Sequence, residues 1–243
     1  MSGPLDFPDG PPEEAPPPKP RSAATPAPRP PGASRYGWFV GVVVLLVIAI
    51  VSLNAVGDDR VRATGVAEGG KLPPFAAPLA LSDLEGDVNV AQRPDSGDAG
   101  DVPACEVRGP EVLNVCELAE RGPVVLGFLA TQGGDCTDEF DRLDRVRRDF
   151  PNVGVAVVGL QGDRDELRAM IAEHGWGFPV GYDADGILVD LYGVAVCPHV
   201  TFAYPGGEVR GTVLGAETES ALRGRFERLV AASRERGWRP PRG

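Results

Sequence analysis

The sequence predicts an α/β domain in its C-terminal half, and three observations carry that prediction. First, two continuous apolar runs, PVVLGFLA (123–130) and VGVAVVGL (153–160), have the composition of strands covered on both faces. Second, apolar residues recur at helical spacing after each run: Cys136, Phe140, Leu143, Val146 and Phe150 share one face with Asp and Arg opposite, and Leu167, Met170, Ile171 and His174 share another from about Arg164. The resulting β-α-β-α order implies parallel strands joined by right-handed crossovers. Third, AVCPHVTFAYPGGEVRGTVLG reads as two short strands turning at PGG, where glycine supplies the backbone conformations of a tight turn. FPVGYD and a short helical piece, GILVDLYGV, precede this hairpin, and Leu222, Phe226, Leu229 and Val230 mark a closing amphipathic helix.

Upstream the composition changes. Residues 1–35 hold twelve of the 25 prolines and too few apolar residues to offset the entropy of ordering, which predicts a disordered tail. Residues 36–57, YGWFVGVVVLLVIAIVSLNAVG, carry no charge and would reach roughly 33 Å as a helix, the length of a transmembrane helix. The long proline-rich lead and the poor cleavage site at SLNAVGD favour an uncleaved anchor over a signal peptide. Four basic residues precede the span and three follow it (Arg60, Arg62, Lys71), a bias toward a cytoplasmic N-terminus and an extracytoplasmic domain on a single-pass plasma-membrane protein. Residues 58–102 are rich in Gly, Asp, Ala and Pro and read as a linker, in which LPPFAAPLA is apolar enough to pack back on the domain; 103–236 form the domain and 237–243 a flexible end.

The net charge is −11, and acids and bases balance within residues 1–35, so the excess lies downstream. An acidic domain without a basic stripe excludes nucleic acid as partner, because phosphate contacts need clustered Lys and Arg. The four cysteines allow three pairings. Cys105 and Cys116 flank EVRGPEVLNV, a short loop that a local bridge closes easily; the alternative is a pair of free structural thiols. Such a bridge is structural, contributes about 2 to 3 kcal/mol on the chain-entropy model, and fits an oxidising compartment.

Several local motifs together resemble one family. FLAT (128–131) is similar to a Phe-Trp-Ala-Ser/Thr entry to an active-site helix, YGVAVCP (192–198) to a Tyr-Gly-Val segment ending in a cis-proline, and GGEVRG (206–211) to the family's hairpin turn. The chain from about 103 to 236 thus resembles the thioredoxin-like fold, in particular the membrane-anchored thiol-disulfide oxidoreductases of the TlpA-like kind and the redoxin group of alkyl hydroperoxide reductase and thiol-specific antioxidant proteins. The sequence departs from the family at its active site. Where Cys-x-x-Cys opens the helix, this chain has Gly133, Gly134, Asp135 and Cys136, so the first cysteine is missing. CTDE (136–139) resembles the surroundings of a peroxidatic cysteine, yet Thr131 lies five residues upstream, not three.

The resemblance implies a three-layer fold with a central mixed sheet, in which the loop before the cis-proline faces the start of the active-site helix. Cys197 would then partner Cys136 as a non-adjacent redox pair. Thr131, Gly133, Gly134, Asp135, Pro198 and His199 would shape that site, Asp135 also suiting the role of helix N-cap. The first turn of a helix favours thiolate by about 0.3 to 1 kcal/mol, but Asp135, Asp138 and Glu139 oppose it, so Cys136 is expected to be a slow or reducing-poised thiol. His199 could shuttle a proton or join both cysteines in a soft-metal site, although a lone strand histidine is more often structural. His174, Trp176 and Phe178 read as structural.

The first function implied is a thiol-disulfide oxidoreductase acting on protein thiols or disulfides, with an electron donor the sequence does not name and no cofactor. A peroxidase in which Cys136 forms a sulfenic acid resolved by Cys197 comes second. A non-catalytic module that binds a partner through the same fold is the third.

Overall fold

The computed structural model describes residues 35–57, 65–131 and 136–240. The expected tail lies outside the described residues apart from Arg35, as do residues 132–135 and 241–243. Arg35–Gly57 form helix α1, a unit separate from the folded domain. Its described side chains, residues 37–48, are all exposed except Val42. Among the described residues no helix is long and apolar enough to cross a membrane.

The domain runs β1 (Ala76–Pro78), β2 (Val112–Asn114), α2 (Val115–Arg121), β3 (Val124–Ala130), α3 (Thr137–Arg147), β4 (Gly154–Leu160), α4 (Arg164–His174), β5 (Val180–Asp183), α5 (Ile187–Tyr192), β6 (His199–Ala203), β7 (Val209–Leu214) and α6 (Glu219–Glu235). The main sheet has the order β5-β4-β3-β6-β7. Its β5, β4 and β3 are parallel, while β6 and β7 run antiparallel to their neighbours. This is the mixed α/β sheet that the thioredoxin-like resemblance implies. FPVGYD supplies the third parallel strand, β5, which is too short for its apolar pattern to announce it.

Period-two alternation divides the core between the two faces of the sheet. Val125 and Leu129 of β3, Val155 and Val157 of β4, and Val200 and Phe202 of β6 join Phe140, Leu143, Leu167 and Phe226 from α3, α4 and α6. Leu126 and Phe128, Ala156 and Val158, and Ala203 face the other way, against Val115, Leu188 and Tyr192 from α2 and α5. Gly127 sits mid-strand because a Cβ there would come within 2.7 Å of the Phe140 ring, so the missing side chain sets how closely α3 lies on β3. Helix ends follow local chemistry: the Asp163 carboxylate accepts from the N–H groups of Asp165 and Glu166 to start α4, and Gly175 ends it in the left-handed region at φ 64°. Helix α3 stops at Arg147, so Phe150 reaches the core from the following turn, where its ring packs 5.1 Å from Phe226.

The segment read as a linker packs on the domain from residue 65 onward. The Gly69 and Leu72 N–H groups each donate at 2.8 Å to Val209 and Gly207 carbonyls, and β1 pairs antiparallel with β2. Phe75, Ala77 and Ala80 are fully buried. The Arg164 guanidinium donates to the carbonyls of Leu79, Ala80, Ser82 and Leu84 and so fastens the chain that leaves β1 to the start of α4. The folded domain therefore begins well before residue 103. LPPFAAPLA packs back as its apolar content predicts, whereas the earlier boundary and the strand β1 carry no local signal, because a few irregularly spaced apolar residues stand in a Gly, Pro and Asp background and other elements satisfy the backbone. Phe75→Ala should lower the unfolding free energy by about 3 to 5 kcal/mol, read as a shifted urea midpoint; an unchanged midpoint would mean that this segment is a loose tether.

Candidate active site

The site grows from the C-terminal end of β3. On one side, β6 pairs with β3 in a register that sets His199 opposite Phe128. The two residues before His199 are Cys197 and Pro198, joined by a cis peptide bond. On the other side of the strand's exit, the chain returns at Cys136, the N-cap residue of α3. The two cysteines are joined by a disulfide with Cα atoms 5.8 Å apart, within the reach such a bond requires. Among the described residues no cysteine is free.

The surroundings of the two sulfurs differ. Cys136 is only 6% exposed and belongs to the apolar cluster of Leu129 and Phe140. Cys197 is partly buried against that cluster, and its Sγ accepts a hydrogen bond from the Ala130 N–H at 3.4 Å. This backbone donor is a site group that no side-chain motif could have revealed. Residues Gly133, Gly134 and Asp135 lie outside the described residues. The N-cap position expected for Asp135 is occupied by Cys136, whose side chain makes no capping hydrogen bond. Thr131 spends its hydroxyl on β4's exit, donating to the Gln161 carbonyl at 2.6 Å, which ties the ends of two strands together.

His199 is not brought to the disulfide. Its ring lies edge-on to Phe128, centroids 5.4 Å apart, on the sheet face that carries Tyr192, whereas Cys136 belongs to the cluster on the opposite face. The residue is fully buried and its Nδ1 has no hydrogen-bond partner, while Nε2 is 3.4 Å from the Thr201 hydroxyl. Burial pushes its pKa down to about 4, so it is neutral at physiological pH. Strand alternation in HVTFA contained this signal, since Val200 and Phe202 mark one face and His199 and Thr201 the other. The soft-metal arrangement of both cysteines with His199 is thereby lost. Among the described residues one cluster has ligand spacing, Asp87, Asp183 and Asp185, whose atoms lie within 4.8 Å of one another. Asp183 already accepts from the Gly186 and Leu188 N–H groups at the start of α5.

The second disulfide, Cys105 to Cys116, has Cα atoms 5.4 Å apart and fastens the turn before β2 to the start of α2. Asn114 reinforces it, capping α2 through its carbonyl oxygen while its amide donates to Ala104 and Val107 carbonyls at 2.8 Å. His174 and Trp176 both bind the Asp141 carboxylate, at 3.0 and 2.7 Å, and hold α3 against α4.

A thioredoxin-like domain with a disulfide linking the start of α3 to its cis-proline loop is the class that fold and geometry define. Residues 105–214 match the AhpC/TSA family. Over 114 residues the chain is 33% identical to the thiol-disulfide oxidoreductase ResA of Oceanobacillus iheyensis, covering 46% of this chain and 59% of that protein. The chain spans about three fifths of the length of the curated relatives it matches. Two solved structures share the fold. A candidate thiol:disulfide interchange protein DsbE from Chlorobium tepidum has a TM-score of 0.51 at 20% identity, covering 69% of this chain and 97% of its own. A candidate protein disulfide isomerase from Bacteroides thetaiotaomicron has a TM-score of 0.53 at 12% identity, covering 72% and 97%. The redoxin resemblance carried by FLAT, YGVAVCP and GGEVRG therefore stands.

Two expected outcomes follow from the geometry. Replacing Cys105 and Cys116 together by Ala should cost about 2 to 3 kcal/mol in the urea midpoint and leave the Cys136 to Cys197 bridge intact by mass mapping. The unfolded chain protonates His199 near pH 6.5 and the native chain only near 4, so this residue's contribution is full above 6.5 and is lost as pH falls toward 4, by up to roughly 3 kcal/mol. Burial raises the Asp183 carboxyl to about 7, and its contribution has the opposite slope, lost as pH rises through 7. The readout is therefore the difference between wild type and His199→Leu in urea unfolding at pH 7 and pH 4.5: the variant should lose less stability on acidification.

Proposed function

We propose that the domain is a thiol-disulfide oxidoreductase in which Cys136 and Cys197 cycle between dithiol and disulfide. The observation that carries this reading is the disulfide between the start of α3 and the residue before the cis-proline. In the dithiol form one sulfur attacks a substrate disulfide, and the other resolves the mixed disulfide that results. The missing first cysteine of the opening motif is then replaced in function by Cys197. The match to a relative named a thiol-disulfide oxidoreductase supports the same reading. The peroxidase alternative is supported by the AhpC/TSA match, but the Thr131 hydroxyl is held by Gln161 and Cys136 is nearly enclosed.

The proposed setting is extracytoplasmic, with α1 as a single membrane anchor and the N-terminus in the cytoplasm. The span over 36–57 has no charged residue, and exposed Trp38, Val43, Leu45 and Ile48 show that α1 has no polar face among its described side chains. Two disulfides in one domain fit an oxidising compartment. Substrates are protein thiols or disulfides, and the electron donor is a dithiol system on the same side of the membrane.

With dithiothreitol as electron donor, the full chain should accelerate reduction of insulin disulfides at least tenfold over background. Cys136→Ser and Cys197→Ser should each return the rate to background. Equal rates for wild type and both variants would exclude the dithiol mechanism, and rapid consumption of hydrogen peroxide in place of insulin reduction would establish the peroxidase.

A further inference from the structure

Resting on the oxidoreductase reading, we infer that Cys197, at the cis-proline loop, is the sulfur that meets the substrate, and that Cys136, at the start of the helix, resolves the mixed disulfide. This is the reverse of the order in the peroxidase alternative, where Cys136 reacts first and Cys197 resolves. Access decides the matter first. An incoming disulfide must be reached in line by the attacking sulfur. Cys136 is 6% exposed and packed among Leu129 and Phe140, which are 1% and 0% exposed. Cys197 is only partly buried, and the chain leading into it faces solvent: Ala195 is exposed and Val196 is 45% exposed, while Pro198 and His199 after it are buried and Leu214, paired with His199, is 41% exposed.

Charge points the same way. The attacking species is a thiolate, which an apolar enclosure disfavours and a directed N–H donor favours. The Ala130 N–H is aimed at the Cys197 sulfur at 3.4 Å, and the Phe128 carbonyl, 3.8 Å from it, can hold the sulfur in place when it carries a proton. Cys136 makes no side-chain hydrogen bond to the N–H groups opening α3, and Asp138 in that turn opposes a negative charge there, Glu139 being paired with Arg142. The reaction balances as follows. The Cys197 thiolate attacks one sulfur of the substrate disulfide, forming a mixed disulfide and expelling the other sulfur as a thiolate that takes a proton from solvent. Cys136, losing its proton to solvent, then attacks the Cys197 sulfur, forming the bridge seen in the structure and releasing the second substrate thiolate. The substrate gains two electrons and the protein's dithiol loses two.

The test uses the full chain, reduced and freed of reductant. A brief pulse of iodoacetamide on the wild type, mapped by mass, should label Cys197 at least tenfold faster than Cys136. With glutathione disulfide as probe, Cys136→Ser should form a mixed disulfide at Cys197 at least tenfold faster than Cys197→Ser forms one at Cys136. Equal rates, or faster reaction at Cys136, would overturn the assignment, and the wild-type pulse decides even if a variant fails to fold. The oxidoreductase reading fails separately: if Cys197 reacts first but the wild-type bridge does not re-form with glutathione disulfide, the reactive sulfur is correctly assigned and the dithiol cycle is not.

Discussion

The site depends on β3 being hydrogen-bonded on both edges. Its parallel partner β4 leads into the layer of α3 and α4, and its antiparallel partner β6 begins just after the cis-proline. The pairing of Phe128 with His199 brings the Cys197 sulfur to the strand's exit at Ala130. Gly127 admits Phe140 against the same strand and so holds the start of α3 over that exit. Two sulfurs 61 residues apart in sequence are bonded because one strand fixes both loops. A bulkier residue at 127 or a shift in the β6 register would separate them, since a disulfide tolerates Cα separations only up to about 7 Å.

The same sheet acts as a partition. The disulfide belongs to the face covered by α3, α4 and α6, and the polar row of His199, Thr201 and Thr212 begins on the other, under the layer that includes α5 and the chain from residue 65. A buried histidine two residues from Cys197 invites a role in proton transfer, but β6 begins only at His199, so strand alternation does not reach back to Cys197, which is bonded to Cys136 on the opposite face. Its neutrality follows from burial without an acidic partner. The buried acids of α3 are structural in the same way. Glu139 pairs with Arg142 and accepts from the Glu217 N–H, and Asp144 holds Arg147 and the Gly177 N–H, so the polar face of α3 is covered by its neighbours and not by water.

Much of this was legible in the chain. The two apolar runs became β3 and β4, the PGG turn became the β6 to β7 hairpin, and helix α4 starts at the residue its periodicity marks, because each of these carries its own hydrophobic period or turn chemistry. What stayed hidden lacked such local signals. The packing of LPPFAAPLA on the domain was expected, but the start of the folded chain near residue 65 and the pairing of β1 with β2 were not, since they rest on long-range backbone bonds and on Arg164, a residue 80 or more positions away. The start of α3 one residue later than a cap at Asp135 would place it reflects a helix that opens on a sulfur and not on a capping oxygen. The pairing of Cys136 with Cys197 was implied only through resemblance, since nothing in a 61-residue separation announces a contact. The relative accessibility of the two sulfurs was not in the sequence at all, because it depends on how Leu129 and Phe140 close over one of them.

The central claim is that the bridge between α3 and the cis-proline loop is a working redox pair, unlike the one at α2. The most direct measurement is equilibration of the full chain in dithiol buffers of fixed potential, with thiols trapped and each pair quantified by mass. The account predicts that Cys136 and Cys197 reduce reversibly and together, at a potential above about −300 mV and above that of Cys105 and Cys116. If both bridges resist reduction to the same low potential, the disulfide at the active-site position is a structural staple and the account is wrong.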